Sequence, residues 1–193
     1  MNYPKITYWL LILILFSCSI KKGGKEYYST GIIIPFEGVD KIKVNESEIK
    51  DIKRNYKNIK IKKYWEPWGN GPILPFFFIG HYKKKVTVKE KEKEKGLTFY
   101  LEKKKHRFQK RTVFSIVVDS TSTYKTKEGI GIGSSYKDII SVFGKTTLSS
   151  GSTLRGTVAH LYFRDSNKNS SMLFTHFGAI DTNNFTVQEI VIM

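Results

Sequence analysis

Apolar residues in this chain return at every second position, in short runs that turn-forming residues interrupt. Val86 and Val88, Leu97, Phe99 and Leu101, and the run Arg111 to Asp119 (RTVFSIVVD) all read this way, as do Thr157 to Phe163, Ser171 to Phe177 and Thr186 to Met193. Side chains on a strand point alternately to opposite faces, so each run buries one face and wets the other, the pattern of antiparallel strands joined by short turns. Ile42 and Val44, then Ile59 and Ile61, keep the same spacing, and Gly31 to Phe36 is a short apolar strand. Helical spacing is confined to two places. One is Glu46 to Tyr56, with Asn45 or Ser47 as its cap. In the other, Tyr136, Ile139, Ile140 and Phe143 share a face, Ser135 caps with Asp138 in a capping-box variant, and Gly144 closes the helix. The fold class expected is α+β and β-rich: antiparallel sheet or sheets with one or two short helices.

The most ordered charge pattern lies in Lys83 to Lys95 (KKKVTVKEKEKEK). On a strand, Glu90, Glu92 and Glu94 share one face and the intervening lysines the other. With a turn at Gly96 and a return through Leu97, Phe99 and Leu101, this is a hairpin whose charged end protects a sheet edge. The surplus of charge is larger than this hairpin: Lys+Arg 33 against Asp+Glu 17 gives +16. Such a field attracts anionic lipid headgroups, acidic glycans, nucleic acid or an acidic protein alike. Lys103, Lys104, Lys105, Arg107, Lys110 and Arg111, with His106 among them, fall between two strands. They form either an anion-binding patch or a solvated charged turn. No recognisable module interleaves aromatic and basic residues as specific nucleic-acid recognition requires.

Tyr64 to Tyr82 (YWEPWGNGPILPFFFIGHY) crowds aromatics among prolines and glycines, which exclude a regular helix. It reads as a loop followed by a buried strand from Phe76 to Ile79, or as an aromatic surface for a membrane interface or partner.

At the start of the chain, Lys5 precedes the apolar run Ile6 to Phe16, which Ser17 and Cys18 end and a Lys/Gly stretch follows. That is signal-peptide architecture, with an apolar run short of the roughly 20 residues that span a membrane. Leu15-Phe16-Ser17-Cys18 resembles the lipobox of bacterial lipoproteins, including those of spirochaetes. The resemblance implies diacylglycerol on Cys18, the only cysteine, with further acyl chains such as palmitate. No other cofactor is expected, and no Cys/His cluster has metal spacing. The chain then divides into a signal peptide (1–17), a lipidated tether (18–26), a β-rich basic region (27–126) and a strand–helix–three-strand unit (127–193). The implied location is the cell envelope, lipid-anchored. Ser19 after the cysteine favours the outer membrane on the periplasmic sorting logic of such lipoproteins.

Gly129-Ile130-Gly131-Ile132-Gly133-Ser134-Ser135 meets neither nucleotide fingerprint, since Ile139 stands where a P-loop ending at Gly144-Lys145-Thr146 needs its first glycine. Through Gly129, Gly133, Ser134, Ile139 or Ile140, Phe143 and Gly144, the stretch is similar to the strand–turn–helix opening of small periplasmic lipoprotein domains of the SmpA/OmlA type. That similarity covers about Lys127 to Met193 and implies a helix leading into a small antiparallel sheet. The four histidines are scattered, although His160 and His176 fall on neighbouring strands where they can pair across the sheet. Asp119, Asp138, Asp165 and Asp181 sit where turns and caps explain them. With no serine elbow, cysteine nucleophile or zinc-protease motif, the expectation is a non-catalytic interaction or envelope-organising protein, not an enzyme. The alternative is a basic surface module for acidic glycans, lipid headgroups or nucleic acid, and an envelope protein or anionic polymer is the partner either implies.

Overall fold

The computed structural model describes residues 30–67, 80–90, 93–103, 110–146, 148–153, 156–178 and 183–193. They form an α+β, β-rich fold with two antiparallel sheets and two short helices. The small sheet holds β1 (Ile33–Ile34), β2 (Gly38–Val39) and β3 (Ile42–Lys43). Helix α1 (Ile49–Asn55) leads into the large sheet through β4 (Ile59–Pro67), β5 (Gly80–Glu90), β6 (Lys93–Lys103) and β7 (Arg111–Val118). Helix α2 (Tyr136–Phe143) precedes β8 (Leu148–Thr153), β9 (Gly156–Asp165), β10 (Ser170–Phe177) and β11 (Glu189–Ile192). The strand order is β4-β5-β6-β7-β11-β10-β9-β8. The last strand therefore joins the two halves of the chain, and the division at residue 126/127 runs through one continuous sheet.

One face of the large sheet carries Val86, Val88, Leu97, Phe99, Leu101, Ile116, Val118, Leu161, Met172, Phe174, Ile190 and Ile192, all buried. Over it pack the small sheet and both helices, which contribute Ile33, Val39, Ile42, Ile52 and Ile139 to a single core. Phe143 of α2 meets Phe163 and Phe174 at 5.5 Å between ring centres. The other face is polar or mixed, with Thr98, Thr175, His160 and Tyr162 on it by strand alternation.

Asp40 fastens the leading region to the rest. Its buried carboxylate accepts from Thr30 N (3.0 Å), Thr30 Oγ1 (2.8 Å), Ile32 N (3.2 Å), and the hydroxyls of Tyr56 (2.6 Å) and Tyr124 (3.3 Å). These donors come from three separate stretches of chain, so one side chain links the start of the small sheet, the end of α1 and the segment after β7.

Several sequence expectations require correction. The cap of α1 is Glu48, whose N–H donates to Asp51 Oδ2 at 2.8 Å. Ser47 is already used to close the preceding turn, accepting from Lys43 N at 2.8 Å, and Asn45 holds a left-handed φ of 65° within that turn. Gly96 lies inside β6, not at the hairpin turn. Pairing shifts from Thr87↔Thr98 to Lys89↔Glu94, so Gly96, at φ 66°, belongs to a bulge. Its carbonyl accepts from Asp119 N at 2.8 Å, a close approach that ties the hairpin to the end of β7. Strand β8 was not expected, because a Ser/Gly run reads as a loop. As an edge strand it needs little apolar content. The second helix agrees with expectation, Ser135 N donating to Asp138 Oδ2 (2.9 Å), Asp138 N to Ser135 Oγ (3.3 Å), and Gly144 N to Ile140 O (3.0 Å). The Phe76 to Ile79 strand lies outside the described residues. Its flanks continue β4 to Pro67 and begin β5 at Gly80, which pair with one another; β4 is an edge strand, where proline is tolerated.

Candidate functional site: a cationic strand end

Strands β4 to β7 form two hairpin-like pairs, and Pro67, Gly80, Lys103 and Arg111 all lie at the same end of the sheet. The described strand ends on either side of 68–79 and of 104–109 therefore share that end of the sheet. Lys104, Lys105 and Arg107 lie outside the described residues, as does Cys18 with the whole leader and tether.

Register assembles the rest of the site. Lys63 on β4 is directly opposite Lys84 on β5, Lys84 opposite Leu101 on β6, and Lys103 opposite Arg111 on β7. Alternation from the buried Val86 and Val113 puts Lys84 and Arg111 on the core side of the sheet. The apolar rows thus end in a row of cations. Lys84 and Arg111 are half-buried, and Lys63 and the α1 residue Lys53 are exposed. Burial lowers the pKa of the Lys84 ammonium, and the nearby cations Arg111, Lys63 and Lys53 lower it further.

Like charges directly across a strand pair are unfavourable, and here they recur, with Lys62↔Lys85 on the opposite face. Exposed lysines on β4 blunt an edge against pairing with another chain. That account does not extend to Lys84 or Arg111, which stand on interior strands. Lys85 lies 5.8 Å from the centre of the Tyr100 ring, and Tyr100 is 6.2 Å from Phe114, the extra residue of a bulge in β7. Lys110 is exposed and pairs with Glu48 at 3.6 Å, a carboxylate that also pairs with Lys50 at 3.6 Å. Lys110 is therefore partly balanced.

Reading the sequence alone missed Lys53, Lys63 and Lys84. Lys63 and Lys84 are separated by a long stretch of chain, and only pairing register reveals that they are neighbours.

The histidines do not pair. Thr175 is the partner of His160, and His176 that of Ala159, so the two imidazoles are on opposite faces. His160 Nδ1 is 3.2 Å from Thr175 Oγ1, and His176 Nδ1 is 2.9 Å from the Thr186 carbonyl. Glu189 is the other partner of Thr175, which leaves two strand spacings, about 10 Å, between His160 and that carboxylate at the backbone. Burial, with Asp119 nearby, raises the Glu189 carboxyl pKa. Asp119, Asp138 and Asp165 serve turns and a cap, accepting from Thr121 N, Ser135 N and Asn167 N respectively. Among the described residues no group of three or more His, Cys, Asp or Glu is placed to hold a metal, and no helix is long and apolar enough to cross a membrane.

The fold and this site define a two-layer α+β protein with one covered sheet face and a cationic strand end. No family model, no curated protein and no solved structure matches the chain.

Proposed function

We propose that this chain is a lipid-anchored envelope protein, attached through Cys18, that works without catalysis by holding an anionic envelope polymer at the cationic end of its large sheet. The observation that carries the reading is the convergence of Lys63, Lys84 and Arg111 from three strands, with Lys53 added from α1. Cations gathered from neighbouring elements at one end of a sheet favour a ligand that brings clustered negative charge. A diacylglycerol on Cys18, with further acyl chains, supplies a stable anchor, and the lysine/glycine tether lets the domain reach its partner.

Two measurements test this reading. Mass spectrometry of the mature N-terminus shows a lipid-modified Cys18 in the wild type and none in Cys18→Ser; an unmodified wild-type terminus sinks the anchor. Binding of the mature domain to a sulfated glycan, used as polyanion probe, weakens as salt rises. The Lys63→Glu/Lys84→Glu variant binds about tenfold more weakly, about 1.4 kcal/mol. Salt-insensitive binding, or a variant that binds as well as the wild type, overturns the site. Binding to phosphatidylglycerol vesicles but not to the glycan moves the partner to lipid headgroups.

A further inference from the structure

A second site lies at the same end of the large sheet, between the small sheet and the turn joining β9 to β10. It is a pocket of about 330 Å³, in the size range of small-ligand sites. Phe36 and Val44 form its apolar wall, and Lys43, Asn45 and Glu46 come from the same side. Lys168 and Ser170 approach from the turn. Glu37 spans the two sides, at 3.7 Å from Lys43 Nζ and 2.8 Å from Lys168 Nζ.

Three features set this pocket apart from an ordinary surface hollow. First, its walls hold left-handed backbone at non-glycine residues: Phe36 at φ 62° and Asn45 at φ 65°, with Asn169 at φ 47° between Lys168 and Ser170. Such conformations are unfavourable for a residue as large as phenylalanine and concentrate where a site is shaped. Second, Ser170 is 7% exposed and its hydroxyl has no hydrogen-bond partner, although buried hydroxyls are normally satisfied. Ser170 lines the pocket, so this hydroxyl is a donor and acceptor left over for a ligand. Third, on a chain with a large cationic surplus, this pocket is charge-balanced, with Lys43 and Lys168 against Glu37 and Glu46.

The balance selects the ligand chemistry. An anion meets Glu37 and Glu46, and a cation meets both lysines. An uncharged molecule with many hydroxyls meets donors and acceptors together, because each hydroxyl both donates and accepts. A pyranose ring also has a C–H face suited to an aromatic and aliphatic wall. We infer that this pocket is a binding site for one uncharged saccharide unit, held between the Phe36/Val44 wall and the hydrogen-bonding groups of Glu37, Asn45, Lys168 and Ser170. The Lys168 ammonium holds the Glu37 carboxyl below its usual range, so this group is an acceptor at neutral pH.

The inference does not depend on polyanion binding by the cationic end, and its test separates the two. The full mature domain is titrated with N-acetylglucosamine and with glucose, followed by amide chemical shifts in high salt, which screens the cationic end. The expected result is saturable shifts for one of the sugars at residues around Phe36, Asn45 and Ser170. Glu37→Gln weakens that binding about tenfold. Ser170→Ala weakens it too, and removing an unpartnered buried hydroxyl leaves thermal stability equal or higher, so misfolding does not explain the loss. Lys63→Glu/Lys84→Glu leaves sugar binding unchanged. Absence of saturable shifts with either sugar overturns the inference. So does binding indifferent to both pocket substitutions, or selective binding of the zwitterion alanylalanine in place of the sugars.

Discussion

At the scale of single residues, Asp40 is the carboxylate on which the leading region depends. Its oxygens accept from two backbone N–H groups and three hydroxyls, and the shortest of these contacts, 2.6 Å, is from Tyr56. Burial, together with Tyr124 and Asp40, raises the Tyr56 phenol pKa, so it remains the donor at any ordinary pH. Tyr56→Phe keeps the ring against Phe99, 5.6 Å away, and deletes only the donor. A hydrogen bond to a charged group contributes about 1.5–3 kcal/mol, and a loss of that order is expected in urea denaturation. Glu189 makes a contrasting case with a definite sign. Its folded pKa is raised, so the folded state binds the proton more tightly than the unfolded chain, and stability falls as pH rises from the ordinary carboxyl range through the folded value. Glu189→Gln is therefore expected to raise Tm at pH 7 and to change it little near pH 4. Equal shifts at both pH values would rule out a cost of ionisation.

Elements show which parts of the sequence speak for themselves. Alternation gave the inner strands of the large sheet because each has one buried row, and the Ser135/Asp138 pair gave α2 because capping is local. Long-range relations stayed hidden. Nothing in LSSGST distinguishes β8 from a loop, since its partner β9 supplies the hydrogen bonds and an edge strand asks little of its own side chains. Gly96 illustrates the same limit. Its left-handed φ suits a turn, and the sequence places the turn there. In the folded chain the glycine is needed because a Cβ would stand 2.6 Å from Ser122 N and 2.7 Å from Asp119 Oδ1. Gly96→Ala is thus expected to cost at least about 2 kcal/mol, from left-handed strain and from displacing the 119–122 turn, measured as a lowered denaturation midpoint. The cationic end was half legible for a related reason: a run such as Lys103 to Arg111 is visible in one dimension, whereas Lys63 and Lys84 become neighbours only through register.

At the scale of the whole molecule, the joint is β11. Its residues Ile190, Val191 and Ile192 pair with Val118, Val117 and Ile116 of β7 on one side and with Phe174, Leu173 and Met172 of β10 on the other. Without it, both halves of the sheet present an open edge beside apolar rows that are wholly buried in the intact chain. Lys125 adds a second link, its carbonyl accepting from Ile33 N at 2.8 Å and its backbone bridging to Gly131. The regions on either side of residue 126 therefore share a core as well as a sheet, and they are expected to unfold together. For residues 27–193, far-ultraviolet circular dichroism and tryptophan fluorescence should report coincident transitions. The fragment 127–193 alone should give a collapsed amide spectrum, and removal of residues 189–193 from the full domain should have the same effect on all of it. A well-dispersed spectrum from 127–193 by itself would show that the C-terminal unit is an autonomous domain. The functional consequence follows from the same connection. The cationic end is built on β4 to β7, and the saccharide pocket on the small sheet and the β9–β10 turn, so a truncation far in sequence from either should abolish binding at both. Point substitutions at Lys63 or Ser170 should affect only one.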